Sequence, residues 1–184
     1  MSLIITGKLI LRPIERDDAP RFAELCNDET LARNTSRIPH PYSLQEAEQF
    51  VERSKDEFLS GQETRFAVCL DEELVACTGV MPTAESSFEH GYWVGAAYRG
   101  KGIASTAAKA VLQFAFEKLG AKIITAGYFT DNPASGRVLE KLGFRPTGEI
   151  IGTMSLARGC EVETARFDLL REKFVVDPDI YIES

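Results

Sequence analysis

Apolar positions along the chain recur at two spacings, and the changes between them divide it into elements. Alternation or a short apolar run bounded by polar turns marks a strand, whereas recurrence at every third and fourth position marks a helix. On that rule GKLILRP (7–13) reads as a strand and DDAPRFAELCND (17–28) as a helix capped by Asp17 or Asp18. RIPHPYS (37–43) carries two prolines and cannot be helical. The next segment, 43–61, has apolar residues at Leu44, Ala47, Val51, Phe58 and Leu59, a Ser43/Glu46 capping box and Gly61 as its stop.

Strands follow at 64–70 and 74–81, joined by a short turn at 71–73. The polar stretch PTAESS reads as a loop leading to FEHGYWVGAAY (88–98), a strand by its aromatic and β-branched content. IASTAAKAVLQFAFEKLG (103–120) is an amphipathic helix with Ala104, Ala107, Ala108, Val111, Leu112, Ala115 and Leu119 on one face. KIITAGYF (122–129) is a strand. NPASGRVLEKLGF (132–144) holds a short helix with Asn132 as cap, Pro133 at its first position and Gly143 as terminator. RPTGEIIG and EVETARFDLLR complete a mixed sheet. The order βααβββαβαββ predicts an α+β fold in one domain spanning 1–184, with 172–184 as a C-terminal tail.

The loop YRGKGIAS (98–105) leaves a strand and enters a helix. The first N–H groups of that helix lack partners within it. Gly100 and Gly102 let the main chain curl so that those groups converge, while the helix dipole, Arg99 and Lys101 add positive potential. The combination makes a small anion site, best suited to phosphate, although the same residues also describe a glycine-rich turn feeding a helix. The loop is neither a Walker sequence nor a dinucleotide fingerprint.

Composition narrows the function classes. A net charge of −7 argues against a nucleic-acid-binding surface and suits a cationic substrate. The four cysteines are scattered without a C-x-x-C pair and read as reduced thiols; with two histidines they form no metal-ligand spacing, so no metal is expected. No apolar run reaches membrane-spanning length, and MSLIITGKLILRP is too short and strand-like for a secretory signal, so a cytoplasmic location without membrane association is expected.

The loop R-G-K-G-I-A resembles the Q/R-x-x-G-x-G/A signature of the general N-acetyltransferase (GNAT) superfamily. NPASGRVLEKLGF resembles its second signature. EHGYWV, RIPHPYS and LILRPIERDDAPRFAELCND are similar to the ribosomal-protein N-terminal (RimJ/RimL-like) branch. The resemblance runs from about residue 7 to residue 171. It implies a mostly antiparallel sheet of about seven strands flanked by helices, with a splay between the fourth and fifth strands. It also implies acetyl transfer from acetyl-CoA to a primary amine, on a protein N-terminus or a small molecule; a homodimer is compatible with it.

The site residues implied are these. The coenzyme's pantetheine arm would run along Trp93, Val94, Gly95 and Ala96, and an N–H near Val94 or Gly95 would polarise the thioester. A proline common in the family near Ala96 is missing. Arg99, Gly100, Lys101, Gly102, Ile103, Ala104 and Ser105 would hold the pyrophosphate, and Asn132 would be a helix cap, a coenzyme contact, or both. Glu89 matches the family's base, or is a solvated strand-end carboxylate. His90, its neighbour, points to the opposite face and reads as a surface or packing histidine. Leu139 stands where many relatives carry a tyrosine acid; Ser135 is then the donor to the leaving thiolate, or a polar residue stabilising its own helix. The alternative to an enzyme is an acyl-CoA sensor with the same pocket and no turnover.

Overall fold

A computed structural model describes residues 3–183 of the chain; Met1, Ser2 and Ser184, the ends of the expected domain, lie outside them. A hairpin of β1 (Leu3–Thr6) and β2 (Leu9–Pro13) leads to α1 (Ala19–Cys26), α2 (Glu29–Arg33) and α3 (Leu44–Ser60). Three antiparallel strands follow: β3 (Thr64–Leu70), β4 (Glu73–Ala84) and β5 (Ser87–Val94). Then come α4 (Ile103–Lys118), β6 (Ile123–Phe129), α5 (Pro133–Lys141), β7 (Arg145–Ser155), β8 (Cys160–Leu170) and β9 (Ile180–Glu183). Among the described residues nine strands form one sheet in the order β7-β8-β6-β5-β4-β3-β2-β1-β9, against about seven expected.

The local signals that set these boundaries are short-range. Ser43 Oγ accepts from the Glu46 N–H at 3.2 Å while the Glu46 carboxylate accepts from the Ser43 N–H at 2.7 Å. Gly61 ends α3 in the left-handed region at φ 71°. Ala47, Val51 and Ser54 are the buried stripe of α3, whereas Leu44 and Leu59 remain exposed. Asp71 and Glu72, both with positive φ, make a two-residue hairpin turn between β3 and β4. The stretch expected as a loop, PTAESS, is instead the end of β4 and a tight turn through Ser86. α5 ends in a Schellman motif: the Gly143 N–H donates to Glu140 O and the Phe144 N–H to Leu139 O.

Each sheet face carries its own apolar cluster. Phe66, Val68, Val75 and Ile124 pack with Val111, Leu112 and Phe114 of α4. On the other face Phe22, Leu25, Tyr42, Val51 and Cys77 pack under α1 and α3. α4 is buried nearly all round, not on one face alone, because the segment expected as a tail crosses its outer side. Phe174 lies 5.0 Å from Phe116, and the Gln113 side chain accepts from the Asp177 N–H and donates to the Asp177 carbonyl. The chain then returns as β9 and pairs with β1. Among the described residues no helix is long and apolar enough to cross a membrane.

The feature that positions the site is a break in the middle of the sheet. β5 and β6 are parallel and pair only through Ser87–Ile123, Phe88–Ile124 and Glu89–Thr125. Beyond that point β5 stays with β4 as far as Val94, and β6 stays with β8 as far as Phe129. The expected splay is present, between what are here the fifth and sixth strands.

Candidate active site

A cavity of about 930 Å³ opens where β5 and β6 part. Because side chains alternate along a strand, β5 sends Glu89, Gly91 and Trp93 to the face shared with α1 and α3. It sends His90 and Tyr92 to the face shared with α4 and α5. Residues from both faces line the same cavity, which makes the break a slot through the sheet.

The first face is charged. Glu89 Oε1 accepts from Arg166 Nη1 at 2.6 Å, and Arg166 Nη2 lies 3.4 Å from Thr125 Oγ1. Arg166 reaches β5 from β8 by lying across β6 at Gly127, where an added Cβ would sit 3.0 Å from Nη1 and 2.8 Å from Thr164 Cγ2. Glycine is required there by close approach rather than by backbone conformation. The expected base is therefore held by an arginine that the motifs do not include. Trp93 meets Phe22 edge-on at 5.6 Å, fixing the far wall. At the rim, Arg65 is ion-paired with Glu57 and Glu63, and Arg37 shares Glu63 at 3.2 Å.

The second face is neutral. Tyr92 Oη and Ser135 Oγ are 3.0 Å apart, and burial pushes the Tyr92 phenol up from its ordinary range. His90 Nδ1 lies 3.0 Å from the Gly79 carbonyl, so that nitrogen carries the hydrogen and donates it. Nε2 is then a bare acceptor, buried and without a partner among the described residues. Burial pushes the His90 ring down to about 4, and it is uncharged at neutral pH. As expected, it faces away from Glu89; of the surface and packing roles it has the second, stacked against Tyr92 at 5.7 Å and Phe144 at 6.5 Å. Leu139 is 1% exposed in the same apolar wall.

At the end of β5 the Gly95 N–H donates to Val75 O at 2.9 Å and is consumed by the sheet. Strand alternation then directs the Val94 N–H to the opposite edge, toward the slot. Of the two backbone donors considered from the sequence, only that of Val94 is left there. Gly95 is held closely, since an added Cβ would meet Leu25 Cδ2 at 2.8 Å. Ala96 begins a 3-10 turn, Ala96–Tyr98, that leads into the glycine loop.

Gly100 and Gly102 take φ of 74° and 81°, and nothing lies within 4 Å of a Cβ built on either. They are glycines for their left-handed backbone, and their outer side is open. No side chain caps α4 at Gly102, and its first internal bond is Thr106 N–H to Gly102 O at 3.0 Å. The N–H groups of Ile103, Ala104 and Ser105 thus precede that bond, at the positive end of the helix dipole. Ser105 Oγ donates to Gly102 O at 2.9 Å. Lys101 Nζ sits 5.6 Å from the Tyr98 ring. Arg99 turns inward: Nη2 donates to Asp28 Oδ2 at 2.6 Å and Nε to Val94 O at 3.1 Å. Asp28 also caps α2 through the Thr30 and Leu31 N–H groups. What Arg99 presents to the loop is its backbone, while its side chain ties the loop to α2. Asn132 makes no side-chain capping bond; its carbonyl accepts from the Ser135 N–H at 3.1 Å.

The loop, the slot and the short helix have the layout that the sequence motifs imply, and comparison with known proteins agrees. The family model for the acetyltransferase (GNAT) domain matches residues 8–145. An uncharacterized N-acetyltransferase, p20, of Bacillus licheniformis is 26% identical over 178 residues, covering 95% of this chain and 99% of its own. The prophage-derived uncharacterized N-acetyltransferase YokL of Bacillus subtilis (strain 168) is 30% identical over 175 residues, covering 92% and 94%. Among solved structures, Mycobacterium smegmatis RimJ in complex with CoA-disulfide superposes with a TM-score of 0.85 at 19% identity, covering 97% of this chain and 91% of that one. RimL, a ribosomal L7/L12 alpha-N-protein acetyltransferase in complex with coenzyme A, gives 0.82 at 16% identity, with 91% and 97% covered. The chain belongs to the GNAT acetyltransferase family and is an N-acetyltransferase.

Proposed function

We propose that the protein transfers the acetyl group of acetyl-CoA to a primary amine by direct attack on the thioester, with the slot between β5 and β6 as the place of reaction. The observation that carries this reading is the single cavity joining a carboxylate on one sheet face to a hydroxyl pair on the other. An amine needs a proton acceptor, whereas a departing thiolate needs a neutral donor.

The residues fit the coenzyme. The open left-handed turn at Gly100 and Gly102, with the uncapped start of α4, offers main-chain N–H groups to a pyrophosphate. The edge of β5 left open from Glu89 to Val94, with Trp93 beside it and the Gly95–Ala96 turn beyond, can hydrogen-bond pantetheine amides as an added strand does. The Val94 N–H is the donor placed to polarise the thioester carbonyl. Acetyl-CoA supplies an activated acyl carbon joined to a good leaving group.

The remaining work belongs to side chains. As the C–N bond forms, the nitrogen becomes acidic and Glu89 takes its proton, directly or through water. Arg166 holds the Glu89 carboxylate at the mouth of the slot. Ser135 donates to the sulfur as the C–S bond breaks. The acceptor, a protein N-terminus or a small-molecule amine, enters past α3 and the 37–43 loop.

The test is a panel of polyamines, aminoglycosides, amino acids and N-terminal peptides incubated with acetyl-CoA. Free coenzyme A thiol and an amine heavier by one acetyl group are the expected products. Tight coenzyme binding with no turnover on any acceptor would overturn the enzymatic reading and mark an acyl-CoA sensor.

A further inference from the structure

The hydroxyl face of the slot holds one more hydrogen than it uses. Tyr92 Oη and Ser135 Oγ, 3.0 Å apart, carry two hydroxyl hydrogens between them. Their mutual bond consumes one. The other has no acceptor among the described residues, whichever oxygen is the mutual donor. It faces a cavity that both residues line. A hydroxyl hydrogen that faces a cavity and is not taken by the protein is free to be donated to whatever enters, in exchange for water.

We propose that Tyr92 is a catalytic residue of this enzyme, forming with Ser135 a two-hydroxyl donor for the sulfur of the coenzyme; this rests on the acetyl-CoA reading above. The chemistry of the wall fits a nascent thiolate. Burial keeps the phenol protonated well above neutral pH, so it remains a donor throughout the working range. The neighbouring rings are uncharged, with His90 stacked on Tyr92 at an interplanar angle of 19° and Phe144 beyond it, so the phenol is held in place without a competing cation. Leu139, buried in the same wall, offers the sulfur no hydrogen bond. Tyr92 and Glu89 leave β5 on opposite faces, which puts the donor for the leaving group across the slot from the acceptor of the amine proton.

The step balances without another reagent. The C–N bond forms, the C–S bond breaks, and its electron pair goes to sulfur. The amine proton goes to Glu89. The Tyr92–Ser135 unit lends a hydrogen bond and keeps both of its protons, and the thiolate is protonated from water as coenzyme A leaves.

The proposal can be tested without an acceptor. Coenzyme A and desulfo-coenzyme A, which has hydrogen in place of the thiol, are titrated by calorimetry at pH 7 and pH 9. If the bound thiol ionises below its ordinary range near ~8.5, the preference for coenzyme A over the desulfo analogue rises about fivefold across that interval. Tyr92→Phe should keep desulfo-coenzyme A affinity within about twofold, while the rise shrinks to less than about twofold. An undiminished rise in a folded Tyr92→Phe, or no rise in the parent, overturns the proposal. Should Tyr92→Phe fail to fold, Ser135→Ala reads the same unit, and an undiminished rise there overturns it equally. Failure of the parent to bind either compound would instead refute the acetyl-CoA reading itself.

Discussion

The two faces of β5 are built on opposite electrostatic principles. Glu89 sits in an ion pair 33% exposed on its own side, with further arginine–glutamate pairs at the rim. Three residues along, Tyr92 sits among uncharged rings with a neutral histidine. A charged group tolerates partial exposure because water shares its solvation, whereas a hydroxyl pair acts on a nascent anion best where water is scarce. The strand's period of two delivers both environments to one slot, and the parted neighbour β6 leaves the slot open.

The sharpest way to break this division is to remove the carboxylate and keep its shape. Glu89→Gln preserves hydrogen bonding to Arg166 but not basicity. Turnover with an acceptor from the amine panel should fall ~10²–10⁴-fold and recover in part at higher pH, as free amine becomes available. Equal activity across the pH range would assign the proton to water or to the acceptor itself.

A second test leaves both faces intact and removes the proposed pyrophosphate anchor. Gly102→Val places a β-branched residue at φ 81°, where such residues are strongly disfavoured, and obstructs the open side of the loop. Acetyl-CoA affinity measured by calorimetry should fall by at least about tenfold, beside a melting curve that shows the domain still folded. Unchanged affinity would remove the pyrophosphate role.

The neutrality of the second face has a signature in stability. His90 is pushed down to about 4 in the fold, whereas an unfolded chain takes up the proton near ~6.5. Between those values the unfolded state binds more protons, so stability is present above the unfolded value and is lost as pH falls toward 4. The loss is on the order of 2–3 kcal/mol. In thermal melts His90→Phe should lose less than the parent between pH 7 and pH 4.5. Parallel losses in the two proteins would show that the ring is not held neutral.

Most of the architecture could be read from the sequence because its signals are local. The Ser43/Glu46 box, Gly61, Pro133 and Gly143 each act within a few residues, and α3 and α5 lie where those signals put them. The glycine loop could be read for the same reason: a left-handed turn before an alanine-rich helix is a short-range statement. Three features could not. β1 and β9 are four-residue strands, and β9 finds its partner in β1, across nearly the whole chain. Arg166 is 77 residues from Glu89 and meets it only because β6 lies between β5 and β8 with a glycine at the crossing. Arg99 reads as a loop cation, yet Asp28, 71 residues earlier, claims its side chain. A carboxylate 77 positions away leaves no periodicity to detect, whereas Gly127 inside a β-branched and aromatic strand is the one local trace that a close approach occurs there.

In the proposed reaction the amine meets the thioester in the slot, and Gly91 gives direct access to it. It lies on the Glu89 face between Glu89 and Trp93, lines the cavity, and has nothing within 4 Å of an added Cβ. Its φ lies outside the left-handed region, so a side chain there adds bulk to the slot without backbone strain. The measurement is the steady-state kinetics of Gly91→Leu beside calorimetry with acetyl-CoA. With the slot as the amine's path, kcat/KM for the amine falls by at least about tenfold, acetyl-CoA affinity stays within about twofold of the parent, and the melting temperature is unchanged. Parent-like kcat/KM in Gly91→Leu would show that the amine reaches the thioester by another route.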